Sequence, residues 1–174
     1  MKEKIKNLDE IAEIVSLKKS QGKRIVLCHG VFDLLHIGHI KHLEEAKNMG
    51  DILVVSITPD QFVNKGPGRP AFNTSLRLEA LSSLECIDFV FANKWQTAQE
   101  TIKIIQPNIY CKGPDYKDHS SDLTGKITDE DAAIKFVGGK LMYTDDITFS
   151  SSSLLNKYGD LHSQQHEVFI RDIA

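Results

Sequence analysis

Apolar residues follow two rhythms along this chain. Short unbroken runs recur in RIVLC (24–28), DILVVSI (51–57), DFVFA (88–92), NIYCK (108–112) and KLMYT (140–144). Runs of that length without polar alternation read as strands buried on both faces. Between them apolar positions return every three or four residues, the period of a helix with one face on a core. Leu8, Ile11 and Val15, with Ile5 one turn earlier, mark a first helix from Asn7 to about Ser20. Asn7 and Glu10 are spaced for a capping box, and Gly22 ends that helix. The later helices are HIKHLEEAKNMG (39–50), closed by Gly50, and TSLRLEALSSL (74–84), with Thr74 as its cap. TAQETIKIIQ (97–106) stops at Pro107, TDEDAAIKFVGG (128–139) takes Thr128 as its cap, and SSSLLNKY (151–158) is the last. NKGPGRPAFN (64–73) and GPDYKDHSSDLTGK (113–126) are loops.

Strands alternating with helices in this way are βαβ units. The expected fold is α/β and Rossmann-like, a mainly parallel sheet with helices on both faces. Residues 1–22 form an N-terminal helix packed on the domain of residues 23–158, and residues 159–174 lack periodicity and form a tail or linker. A chain of 174 residues, 41% of them hydrophobic, holds enough apolar material for one core.

Charge narrows the function classes. A formal net charge of −3 argues against a surface built for nucleic acid, which needs a basic face. Apolar stretches such as ILVV are too short to span a bilayer, and MKEKIKNLDE has no apolar leader core, so a cytoplasmic protein is expected. The three cysteines, Cys28, Cys86 and Cys111, have no CxxC spacing and read as reduced core thiols.

The chemistry concentrates in GVFDLLHIGH (30–39), directly after the first strand. Ligands of open α/β sheets bind outside the carboxyl ends of the strands, which is where this segment falls. Gly30 lets backbone amides approach a ligand, and Gly38 lets the chain turn into the helix without a Cβ clash. His36 and His39 can both face the free amides of the helix start, and together they make an anion site. A lone histidine there would be a cap or a satisfied polar group. Two of them bracketing a glycine, in a strand–turn–helix context, point to function. No third ligand stands at a usable spacing, so no metal is expected on the protein. Asp33 reads as the residue that fixes the turn by bonding nearby backbone. His42, His119, His162 and His166 read as surface residues, and Trp95 as a half-buried structural aromatic.

GVFDLLHIGHIKHLEEAK resembles the signature of the HxGH nucleotidyltransferase (cytidylyltransferase-like) superfamily, whose members transfer a nucleotidyl group to a phosphorylated alcohol or sugar. KGPGRP, LRLEALSSLECIDFV, QPNIYCKGPDY and FSSSSLL follow in the order seen in the heptose-phosphate adenylyltransferase domains of lipopolysaccharide-core biosynthesis. The resemblance runs from about Arg24 to Asn156. It implies that His36 and His39 contact the triphosphate, that Lys65 and Arg77 serve the same site, and that Arg69 is a further phosphate contact. It places Gly30, Val31, Phe32, Gly38, Lys112, Asp115, Ser150, Ser151 and Ser152 along the nucleotide, with Mg²⁺ accompanying the triphosphate. The implied substrates are a nucleoside triphosphate, ATP ahead of CTP, and a sugar 1-phosphate such as a heptose phosphate. A homodimer and a fused or partner sugar kinase are compatible with it.

Plainer readings stand beside these. A serine at a helix start is commonly a cap, and Lys65 and Arg69 are also ordinary loop charges. Asp145 stands where glycerol-phosphate relatives carry an arginine, which weakens that acceptor. The rival functions are a cytidylyltransferase for a non-sugar phosphorylated alcohol and a catalytically silent nucleotide-binding module. The literal HIGH also occurs in class I aminoacyl-tRNA synthetases, but this chain has no KMSKS-like loop.

Overall fold

A computed structural model describes residues 2–66, 68–114 and 126–145. Within them β1 (Ile25–Gly30), β2 (Ile52–Ile57), β3 (Phe89–Ala92), β4 (Ile109–Lys112) and β5 (Lys140–Tyr143) form an all-parallel sheet in the order β3-β2-β1-β4-β5. Helices α1 (Leu8–Ser20), α2 (Ile37–Asn48), α3 (Thr74–Ser82), α4 (Gln99–Ile105) and α5 (Lys126–Phe136) cover it. The expected α/β, Rossmann-like fold is the one found.

Successive strand residues point to opposite faces, and this divides the core in two. Ile25, Leu27, Val54, Phe91 and Tyr110 pack with Leu8, Ile11 and Val15 of α1, Ile102 of α4 and Ile134 of α5. Val26, Cys28, Val55, Val90 and Cys111 pack with Leu43 and Ala46 of α2 and Leu81 of α3. Cys28 and Cys111 are register partners on β1 and β4, and both are free and buried. A hydrogen bond with Cys111 and burial push the Cys28 thiol up, as befits a reduced core group.

From β1 the chain first builds outward to β2 and β3, then crosses back to lay β4 and β5 on the other side. The connections therefore diverge between β1 and β4, and a crevice opens at their carboxyl ends. Asp51 and Asn108 brace the opposite end of β1, accepting from the backbone amides of Arg24 and Ile25 at 2.7 and 2.8 Å. At the β3 edge, the amide of Lys6 donates to the Val90 carbonyl at 3.0 Å.

Helix boundaries mostly follow their caps. Asn7 and Glu10 make the expected reciprocal box at 2.9 and 2.8 Å. In α3 the cap is Asn73, whose Oδ1 accepts from the Leu76 amide at 3.0 Å. Thr74 is instead the first helical residue and exchanges two bonds with Asp60, at 3.0 and 3.1 Å. Thr128 also differs from expectation, because α5 begins two residues earlier at Lys126. The predicted helix 151–158 and the tail 159–174 lie outside the described residues.

Gly139, between α5 and β5, has no room for a side chain. A Cβ there would sit 2.5 Å from both the Pro107 carbonyl oxygen and Ile134 Cδ1. Because a backbone oxygen cannot move aside cheaply, Gly139→Ala is expected to cost about 1–3 kcal/mol, read from urea unfolding.

Candidate active site

Residues 31–36 turn the chain from β1 into α2 at the crevice. Phe32 (φ 49°) and Leu34 (φ 54°) both occupy the left-handed region, which disfavours any residue with a Cβ. Between them lies Asp33, 2% exposed. Its carboxylate accepts from Arg69 Nε at 2.6 Å and from the amides of Ala71 and Phe72 at 2.9 and 3.2 Å. Asp33 thus reaches a loop far along the chain, a role that its sequence neighbourhood did not suggest. Gly30 also has a different use from the expected one. A Cβ on it would lie 3.0 Å from Phe32 Cε2, so its bareness seats the Phe32 ring. That ring meets His39 edge-on, with centroids 5.4 Å apart.

His36 is the N-cap of α2 and His39 its third residue. His36 Nδ1 accepts from the Gly38 amide at 3.2 Å, and His39 Nδ1 accepts from the His36 amide at 3.4 Å. This is a capping box made of imidazoles, and it explains the spacing of three. The rings stack at 3.9 Å between centroids. Since each Nδ1 accepts, each neutral ring carries its proton on Nε2. His36 Nε2 is buried without a partner among the described residues.

Burial, then the charges of His36, Lys65 and His42, push the His39 pKa down to about 4. Burial and Lys65 lower His36 in the same direction. At neutral pH the pair therefore presents uncharged N–H donors at the positive end of a helix. Although Lys65 is exposed as a residue, protein crowds its ammonium, and that desolvation with the nearby Arg69 charge lowers its pKa against the pull of Asp33.

Arg77 was expected to point at this site, and it does not. Its residue is 2% exposed and all five guanidinium N–H groups are spent inside the protein. Nε donates to the Phe72 carbonyl at 2.9 Å, and Nη1 to those of Val31 and Thr58 at 2.6 and 2.9 Å. Nη2 donates to Asp60 Oδ1 at 2.6 Å and Thr74 Oγ1 at 3.3 Å. Arg77 pins the ends of β1 and β2 to the loop before α3. Val31 therefore belongs to the scaffold as well as to the crevice edge, and Phe32 packs into the core.

Lys112 ends β4 at the crevice, but its ammonium lies 2.9 Å from Glu130 Oε2 and over the Tyr110 ring at 5.1 Å. Glu130 also accepts from the Tyr110 hydroxyl at 2.9 Å and the Ala98 amide at 3.0 Å. Gly38, the second residue of α2, contributes its amide to the histidine box. Asp115, Ser150, Ser151 and Ser152 lie outside the described residues, as do His119, His162 and His166. Trp95 packs partly buried on the core, as expected.

Two histidines escaped the sequence reading. His42, assigned to the surface, is half-buried and meets Thr144 Oγ1 at 2.9 Å, tying α2 to the end of β5. His29, the penultimate residue of β1, meets Ser56 Oγ at 2.8 Å and Thr58 Oγ1 at 3.3 Å. Its position in RIVLCH was the one available signal, a polar ring inside an otherwise apolar strand.

The sequence matches the cytidylyltransferase-like family over residues 27–157. It is 41% identical over 139 residues to Bifunctional protein HldE of Aliarcobacter butzleri, covering 78% of this chain and 29% of that protein. Against Bifunctional protein HldE of Sulfurimonas denitrificans it is 38% identical over 161 residues, covering 91% of this chain and 32% of that protein. The chain thus spans less than a third of either relative. Among solved structures it is similar to the lipopolysaccharide core biosynthesis protein of Thermoplasma volcanium, with a TM-score of 0.60 and 29% identity, over 73% of this chain and 100% of that one. Pantothenate synthetase of Thermus thermophilus shares the fold at a TM-score of 0.56 and 14% identity, over 84% of this chain and 63% of that one.

Two outcomes follow from these contacts. Arg77→Lys cannot replace five donors with three and leaves carbonyls and Asp60 unpaired, so it should lower stability by about 3 kcal/mol in denaturant unfolding. The second concerns pH. His39 titrates at about 4 when folded, so below pH ~6.5 the unfolded chain binds a proton the folded one refuses. Stability should fall between pH ~6.5 and ~4, and His39→Asn should remove about 1–3 kcal/mol of that loss when the two unfolding profiles are compared.

Proposed function

This chain belongs to the cytidylyltransferase-like family, and we propose that it is a nucleotidyltransferase that moves a nucleotidyl group from a nucleoside triphosphate to a sugar 1-phosphate. ATP is the favoured donor and a heptose phosphate the favoured acceptor. The observation that carries this reading is the imidazole capping box, which leaves the proton of each neutral ring on Nε2 at a helix start that follows the switch-point strand. Support comes from relatives about 40% identical, named as bifunctional HldE proteins, and from the lipopolysaccharide core biosynthesis protein with the same fold.

In this reaction an acceptor phosphate oxygen attacks the α-phosphorus, and the bond from that phosphorus to the pyrophosphate oxygen breaks. The attacking oxygen is already anionic at neutral pH, so no general base is needed. What the protein must supply is alignment and donors where negative charge grows on the departing pyrophosphate. His36 and His39 supply neutral N–H groups fixed by the helix cap, and Lys65 supplies a positive charge. Donors held in place before the reaction cost no reorganisation during it.

Mg²⁺ enters this reading on the triphosphate oxygens, whose charge it reduces. Among the described residues no group of three or more His, Cys, Asp or Glu could hold a metal ion. Imidazole N–H and ammonium groups fit anions, so no step here is assigned to the ion through the protein. Because the relatives are bifunctional and about three times longer, a kinase that makes the sugar phosphate is proposed as the fused or separate companion activity. No helix among the described residues is long and apolar enough to cross a membrane, and a cytoplasmic setting, where nucleotides are available, is proposed.

Pyrophosphate release from ATP or CTP with a panel of sugar 1-phosphates tests the reading. Turnover with ATP and a heptose 1-phosphate is expected; no release with any pair would leave the silent nucleotide-binding module as the better account. His36→Asn separates capping from chemistry, because asparagine is a strong N-cap but has no Nε2–H. It should fold with wild-type stability and lose roughly 10²–10³-fold in kcat, the cost of one preorganised donor.

A further inference from the structure

Among the described residues two buried side-chain polar atoms lack a hydrogen-bond partner, His36 Nε2 and Arg69 Nη2. Buried donors are almost always paired, and an exception calls for a physical reason. Arg69 is tied to the carboxylate of Asp33, which stands three residues before His36 in the turn from β1 into α2. Asp33 bonds Arg69 through Nε at 2.6 Å, which fixes the guanidinium plane and leaves Nη2 unspent. Its bonds to the Ala71 and Phe72 amides, at 2.9 and 3.2 Å, hold the rest of that loop. On its own side of the crevice Asp33 sits between two residues in the left-handed region, Phe32 and Leu34. Such a turn persists only where its surroundings over-determine it, and the three bonds to Asp33 do so.

One buried carboxylate in the turn into α2 therefore sets the orientation of the loop guanidinium. We propose that Asp33 is a positioning residue that holds Arg69 as a rigid anion ligand, so that pyrophosphate oxygens are gripped between His36 Nε2 and Arg69 Nη2. The inference rests on the nucleotidyltransferase reading and deepens it. A guanidinium held in advance loses little side-chain entropy when the anion arrives. Asp33 cancels part of its charge without using the donor that faces the ligand. The competing account makes Arg69 only a counterion for a buried acid, with no contact to the ligand.

Calorimetric titration of inorganic pyrophosphate into the full chain separates the two. Arg69→Gln keeps an amide donor for Asp33 but has no Nη2, while Asp33→Asn keeps an acceptor for the loop amides and loses the charge that orients Arg69. Each folded variant should bind pyrophosphate about tenfold more weakly or worse, and the double variant no more weakly than Arg69→Gln alone, since the two residues act as one unit. Wild-type affinity in Arg69→Gln overturns the inference, and losses that multiply in the double variant overturn the positioning role. Should Asp33→Asn fail to fold, Arg69→Lys decides. One ammonium cannot serve Asp33 and the anion in a fixed plane, so weakened binding is expected and wild-type affinity again overturns the proposal. If His36→Asn weakens pyrophosphate binding while Arg69→Gln does not, this inference falls and the nucleotidyltransferase reading stands. If the wild-type chain binds no pyrophosphate, both fall.

Discussion

The start of α2 depends on two imidazole nitrogens that act as hydrogen-bond acceptors. Every helix leaves amides unsatisfied at its first turn, and a side chain usually supplies the oxygen that caps them. Here the acceptors are Nδ1 of His36 and Nδ1 of His39, each serving an amide at the start of the helix. That local need fixes the tautomer of both rings, and the tautomer puts both protons on Nε2. A carboxylate cap would satisfy the helix equally well but would bring no donor of its own. The capping geometry and the donors of the proposed anion site are therefore one arrangement.

Around this box the positive charges are sorted by partner. Arg77 is surrounded by carbonyls and Asp60, Lys112 by Glu130 and Tyr110, and Arg69 by Asp33. Buried ion pairs of this kind are poor sources of net stability, because desolvation offsets most of the attraction. Their value is geometric, since removing one partner is far costlier than the pair is worth. Arg77 joins the ends of β1 and β2, and Asp33 joins the α2 turn to the Lys65–Arg69 loop. Segments separated by tens of residues are thus held as one wall of the crevice.

Much of this fold could be read from the chain. The strand runs, the Asn7–Glu10 box and the switch from apolar runs to helical spacing are local signals, and local physics decides them. Strand order was not legible, because parallel pairing joins segments far apart and leaves no mark on either one. Asn73 rather than Thr74 caps α3, since Asp60, distant in sequence, engages Thr74. Arg77 illustrates the limit within the site. An arginine on a helix beside a phosphate motif looks like a ligand, and only its folded contacts with Val31, Thr58, Asp60, Phe72 and Thr74 show its five donors already taken. His36 and His39 were legible because their cap, glycine and strand context are contiguous. His29, His42 and Asp33 were not, because each acts through a partner on another element.

Why neutral imidazoles should suit this work, with lysine and arginine so near, follows from the same electrostatics. The Lys65 charge and the other ring help to keep His39 deprotonated down to a pH of about 4. Two full imidazolium charges would also grip the triphosphate tightly in its ground state, and binding shared by both states does not speed the chemical step. A fixed N–H dipole gains most where charge density rises, which is on the oxygens of the departing pyrophosphate. On the proposed reading the Lys65 cation gathers the ligand, while the fixed neutral donors discriminate between its states. The separation holds because burial and nearby positive charge act in the same direction on both rings.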